Sequence, residues 1–495
     1  MIELLLIALI VSVIAVIGPL GIGWLWAEAL TRKGGSEPAL GMVYWLGLMC
    51  VGALIVLGHG LALSRTPVVV LVASASTGGW ILHLLRRRGP TRVALTTALP
   101  LLPLALAGIA YCVLDPVRVW DSYLIWLARV RLLEQWTSLS RFRDLGIVYP
   151  EYPYLGAAAW WWTEWAARVP VESARVIFLF AYLAFFLAVL ARYERTESIK
   201  VRLLWGFFAY ACFSLEIING YQDGFLMVSA GMVALAFLQW GDRGAVWVLP
   251  LAAGLSLIKT EGAVLALILV FCWFASKFSR SPTVHGNPLD RHVLLLGGVG
   301  FVLILATWPW LQMRNGLDPT NLQSGAFRIR SIGIALSQVD RLPTILRAVG
   351  LYYAQCPWIT LPFLAAVGVS LSPGETLDRQ RRFLLGFVAL HLLFVMTIFW
   401  LTQEPFEWHL GAALPRLLLH GRLIMLVFIF ETASLRWARS EKEPVLRAPV
   451  PSPAAAEGAH AGGALATSIV GMWRGERRHS NRAAAHDAQR TSSWT

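Results

Sequence analysis

Runs of about 20 apolar residues, each closed by a charged break, recur along most of the chain, and that length is what a helix needs to cross a bilayer's hydrocarbon core. Only helices and closed barrels satisfy the backbone in that setting, so few folds remain open. We read spans near residues 2–29, 39–61, 67–85, 94–114, 173–191, 203–218, 224–240, 246–258, 261–276, 292–312, 347–370, 383–402 and 421–437. These thirteen predict an all-α polytopic membrane protein, with a transmembrane domain over 1–437. Composition agrees: 57% of the 495 residues are hydrophobic and 14% charged, against about 25% charged in ordinary soluble domains. A water-soluble enzyme is excluded.

The formal charge of +13 comes from 42 Lys and Arg against 29 Asp and Glu. Its distribution alternates. Basic breaks hold Arg32 and Lys33; Arg86, Arg87, Arg88 and Arg92; Arg192, Arg195, Lys200 and Arg202; Arg243; Lys277, Arg280 and Arg291; and Arg379, Arg381 and Arg382. The connections between them carry few cations. The positive-inside bias then predicts an N-terminus outside and a C-terminus in the cytoplasm. The surplus is thus topological, and no basic stripe suited to nucleic acid is present. The N-terminus lacks the basic segment and cleavage site of a signal peptide, so its first run is expected to stay as an anchor. From 438 to 495 Pro, Ala, Gly, Ser and Arg dominate, predicting a disordered cytoplasmic tail with a short apolar patch at Leu465–Trp473. The five cysteines are scattered singly, which supports neither a disulfide framework nor a thiolate metal site.

This threading places segments 115–172, 313–346 and 402–420 on the outer face, with two tight outer turns, 219–224 and 259–262. Most unusual polar residues fall in these five places. The first segment reads LDPVRVWDSYLIWLARVRLLEQW from Leu114. Helical spacing there puts Asp121, Ile125 and Arg129 on one face of an amphipathic interfacial helix. Asp121 is either a solvated helix-start residue or a reactive carboxylate, and Arg129 and Arg131 are either lipid anchors or ligand-binding cations. In YPEYPYLGAAAWWWTEW, Pro150 and Pro153 bracket Glu151 ahead of a short Trp-rich helix, whose Trp160, Trp161 and Trp162 suit an interfacial aromatic belt. The turns contribute Asp223, Lys259 and Glu261, functional candidates or an internal ion pair. Arg314 follows in QMRNG, and EPFEWHLGAALPRLLLHGR adds His409, Arg416 and His420.

Taken in order, these islands resemble the polytopic type C glycosyltransferases (GT-C), specifically bacterial members with a W-D-x-x-x-x-W-x-x-K/R-x-R segment. Here that segment is Trp120-Asp121, Trp126, Arg129 and Arg131. An H-P-D-Y-P-L-L stretch is matched by Tyr149 to Leu155, a G-Y-x-D turn by Gly220 to Asp223, and T-K-N-E-G by Ile258 to Gly262. W-H-L and R-L-L are matched by Trp408-His409-Leu410 and Arg416-Leu417-Leu418. The resemblance covers roughly residues 100–420. It departs at Glu151 for Asp, Arg129 for Lys and Tyr149 for His, the last removing any histidine metal ligand.

The resemblance implies sugar transfer from a polyprenyl-phosphate carrier to a glycan, lipid or protein acceptor at the outer face of the bacterial cytoplasmic membrane. Asp121 would be the base that takes the acceptor proton, or would hold a divalent metal. Arg129, Lys259, Arg314 and Arg416 would clamp phosphate. Glu151, Asp223, Glu261 and His409 would orient sugar or acceptor. A transporter or lipid flippase is the rival expectation, since the short runs around Lys259 look like a broken helix. A noncatalytic envelope scaffold is a third.

Overall fold

A computed structural model describes residues 2–32, 38–86, 98–117, 119–193, 199–241, 244–278, 291–317, 333, 338–372, 377–402 and 405–440. Among these residues the chain is helical and contains no strand. Nine helices among the described residues are long and apolar enough to cross a membrane: Ile2–Leu30, Leu40–Gly60, Arg65–Leu85, Val171–Tyr193, Gln222–Trp240, Thr260–Lys277, His292–Arg314, Arg379–Leu401 and Phe406–Ser434. Three shorter apolar helices, Leu99–Leu114, Ala245–Leu257 and Pro357–Ser370, accompany them. This is the architecture of a multi-pass membrane protein. Lys33, Arg87, Arg88, Arg92, Arg195, Arg243 and Arg280 lie outside the described residues, as do 441–495 with the Leu465–Trp473 patch and most of 318–337.

Local chemistry explains where helices and apolar runs differ. The run 203–218 is helical only as part of Ile199–Ala211, and Ser214 then accepts from the Glu216 amide at 3.3 Å to start a separate turn. The run 347–370 is broken at Cys356 before Pro357, because a residue preceding proline is pushed out of the helical region. Conversely, residues expected in an outer loop at 402–420 form the helix Phe406–Leu419, which runs through Pro415 and is followed after His420 and Gly421 by Arg422–Ser440.

The helices divide into a central and a peripheral set. Of the Gln222–Trp240 window 89% is buried inside the protein, against 17% for His292–Arg314, whose exposed leucines and valines suit lipid contact. The first three helices pack very closely: a Cβ at Gly47 would land on the Pro19 carbonyl, and one at Gly79 on the Gly21 carbonyl. Small residues permit such approach where apolar transfer between lipid and protein supplies little driving force. A separate cluster of Ile345, Val395, Phe399, Leu410, Leu414 and Leu417 joins Arg341–Gln355, Arg379–Leu401 and Phe406–Leu419.

The Trp-rich helix Leu155–Ala167 differs from the expected aromatic belt. Trp160, Trp161 and Trp162 are buried in the protein, the first donating from Nε1 to the Val171 carbonyl and packing edge-on to Phe178. Their apolar area is spent on protein neighbours, which places the NGYQDG turn: Gly220, at φ +96°, sits directly against the Trp160 ring. All five cysteines are free.

Candidate functional site

The polar islands come together through short, specific contacts. Asp121 precedes a π-helical turn, Ser122–Leu127, whose wider pitch splits the face expected for Asp121, Ile125 and Arg129. Arg129 is consequently buried, while the Asp121 side chain stays one-fifth exposed and is contacted by the Arg416 guanidinium. Arg416 projects from Phe406–Leu419, with Nε donating to the Ala412 carbonyl at 3.2 Å and the guanidinium 5.2 Å from the Tyr221 ring centre. Tyr221 is itself held by an Asx turn, its amide donating to Asn219 Oδ1 at 3.1 Å.

Two residues further on, Asp223 occupies the first turn of Gln222–Trp240, where a carboxylate is favoured by the helix dipole. Its Oδ1 accepts from Lys259 Nζ at 2.8 Å and from His420 Nε2 at 3.1 Å. Lys259 Nζ also lies 3.2 Å from Glu261 Oε1, and Glu261 Oε2 accepts from Thr260 Oγ1 at 3.0 Å. Burial alone would lower the Lys259 ammonium; the Asp223 and Glu261 carboxylates outweigh it and hold the group above its ordinary range. Buried charges must be paired to persist, and here the pairing also joins three elements. Within this array Asp223 Oδ2 and His420 Nδ1 are buried without a hydrogen-bond partner among the described residues.

Arg129 and Glu151 form an adjoining node. Arg129 donates to the Ile125 carbonyl at 2.6 Å and to the Tyr149 carbonyl, and lies 5.2 Å from the Trp126 ring centre. Burial pulls its guanidinium down to about 10, with Glu151 opposing, which leaves it charged at neutral pH. The backbone carbonyl of Glu151 accepts from Trp308 Nε1 and Gln312 Nε2, each at 2.8 Å. Tyr152, stacked between Tyr149 and Trp126, faces the Lys259 and Glu261 charges and connects the node to the array.

Seven of the nine sequence candidates therefore share this region: Asp121, Arg129, Glu151, Asp223, Lys259, Glu261 and Arg416. Two do not. Arg314 is exposed over Trp310, and His409 is bonded through Nδ1 to Thr402 Oγ1 at 2.6 Å within the second apolar cluster. Arg131 bonds Glu134 at 3.0 Å at the surface. His420, singled out in the sequence but part of no motif, belongs to the site, as do Glu216 and Arg422, whose one signal was polarity beside a turn or helix break. As for a metal, no group of three or more His, Cys, Asp and Glu side chains among the described residues is arranged to hold one. Asp121 instead contacts a guanidinium, so no step is assigned to a metal.

No family model, curated protein or solved structure matches the chain.

Proposed function

We propose that the chain is a membrane glycosyltransferase of GT-C type, moving a sugar from a polyprenyl-phosphate carrier to an acceptor at the outer face of a bacterial cytoplasmic membrane. In this reading the N-terminus lies outside and the C-terminus in the cytoplasm. The observation that carries it is the meeting of Asp121 with Arg416, 295 residues apart, at the accessible end of the Asp223–Lys259–Glu261 array.

The geometry suggests how the reaction runs. An arriving phosphate competes for Arg416 and so frees Asp121. The acceptor hydroxyl gives its proton to Asp121 as its oxygen bonds to the sugar's anomeric carbon, and the bond from that carbon to the carrier's phosphate oxygen breaks. The electron pair stays on phosphate, where Arg416 and Lys259 offset the developing charge. Asp223 and Glu261 fix Lys259, and buried Arg129 holds the Tyr149 to Tyr152 segment alongside. A sugar-carrying lipid also suits a chain whose peripheral helices expose apolar faces.

The broken helix favours a second reading, a transporter or flippase. Ala245–Ala253, the 3-10 turn Gly254–Leu257 and Thr260–Phe278 interrupt one another beside a buried ion pair, as in transporter sites. Asp121→Asn separates the two. Its transfer from undecaprenyl-phosphate sugars should fall about 10²–10⁴-fold with insertion and folding intact. Near-normal transfer would remove Asp121 from the chemistry; carrier movement without transfer in the unaltered protein would favour the flippase.

A further inference from the structure

A fourth carboxylate, Glu216, stands beside the array and takes no part in its pairing. It lies in the turn Leu215–Ile217, whose backbone is fixed on both sides. The Glu216 amide donates to Ser214 Oγ at 3.3 Å, and Gly224 packs so closely that a Cβ there would come within 2.9 Å of the Glu216 carbonyl oxygen and 2.5 Å of Ile217 Cα. The side chain is half-buried, so it keeps a path to solvent or ligand.

The charges facing it are Asp223 on the following helix, Lys259 before Thr260–Phe278, and Arg416 and Arg422 on either side of the break at His420 and Gly421. Those cations are spoken for. Arg416 contacts Asp121, and Lys259 bonds Asp223 and Glu261. Arg422 donates to Tyr352 Oη at 2.6 Å and lies 3.5 Å from Cys356 Sγ. Two of these cations thus answer three carboxylates and the third is engaged by Tyr352 and Cys356 before Glu216 is counted, and among the described residues no cation forms an ion pair with it.

We infer that Glu216 is a second catalytic carboxyl, one that holds a proton and delivers it to the carrier's phosphate. This rests on the transferase reading. As the anomeric C–O bond breaks, the electron pair passes to the phosphate oxygen and Glu216 gives that oxygen its proton, becoming a carboxylate. Asp121 meanwhile holds the acceptor's proton, and exchange with water restores both groups. Two carboxyl groups in contrasting surroundings, one in contact with a guanidinium and one with no ion-pair partner, are the arrangement that lets one site run as acid and base together. Burial, then the nearby Asp223 charge, pushes the Glu216 carboxyl above its ordinary range, in the direction this role requires.

The test uses the full chain in nanodiscs, with infrared difference spectra across a pH titration and turnover on a panel of undecaprenyl-phosphate hexoses and pentoses. The unaltered protein should show a protonated-carboxyl band that Glu216→Gln removes, and its kcat should decline on the alkaline side as that proton is lost. Glu216→Gln should cut kcat about 10²-fold or more with little change in KM, and should abolish the alkaline limb. Glu216→Asp should restore part of the rate together with the limb, an outcome a purely structural role would not give. An active protein whose Glu216→Gln variant keeps both rate and pH profile overturns the inference. An unaltered protein that turns over no carrier, yet shows the Glu216-dependent band, overturns the transferase reading and leaves the proton on Glu216 in place.

Discussion

Two buried charge clusters in the molecule differ in how completely they are satisfied. At one, Glu431 Oε1 accepts from Arg192 Nε at 2.9 Å, Arg192 Nη2 at 2.7 Å and Tyr193 Oη at 2.8 Å, tying Val176–Tyr193 to the helix that begins at Arg422. Every bond there closes on protein, which is how a clasp is built. The other cluster, around Asp223, leaves Asp223 Oδ2 and His420 Nδ1 buried without partners and Glu216 without an ion pair among the described residues. Unmet polar capacity in a folded interior costs free energy and needs a reason. Substrate is the reason proposed here.

The comparison breaks first, and by the largest amount, at Lys259. Lys259→Met strands Asp223, which is 1% exposed, and removing one partner of such a pair costs about 3–5 kcal/mol. Thermal unfolding in detergent should register that loss, with transfer abolished as well. At the clasp, Glu431→Gln removes a charge but keeps an acceptor, so a smaller loss of about 1–3 kcal/mol is expected. Turnover per folded molecule should stay unchanged. Equal damage to turnover from Glu431→Gln would erase the distinction between clasp and site.

The smallest effect concerns Glu164, away from both clusters. Its carboxyl is pushed up to about 7 by burial first and Glu134 second, with Arg131 opposing. A carboxyl raised on folding holds its proton in the folded state after the unfolded chain has lost it. Its contribution is therefore complete below about 4.5 and disappears as pH climbs to about 7. Unfolding temperature should decline across that window, and Glu164→Gln should flatten the decline.

Much of this arrangement is legible in sequence because its causes are local. Long apolar runs report spans, and charges at tight turns between spans are costly enough that Lys259, Glu261 and Asp223 stand out with their mutual pairing already among the alternatives. What is not legible depends on partners far along the chain. The π-turn after Asp121 buries Arg129, yet an ordinary 3.6-residue period places both on one face. Trp160, Trp161 and Trp162 have the composition of a belt, and only the surrounding helices decide that they are core. His409 and His420 lie on one continuous stretch with similar neighbours, but Thr402 claims the first and Asp223 the second. Glu216 carries no motif because its significance is the absence of a partner, a property of the assembled site alone.

Native mass spectrometry of lipid retained by the purified protein bears most directly on whether the Asp223 cluster serves a sugar-bearing lipid. Arg416→Met provides the contrast. The account predicts that the unaltered protein carries a polyprenyl-phosphate sugar and that the variant loses it while keeping bulk phospholipid. Phospholipid alone on both would contradict it.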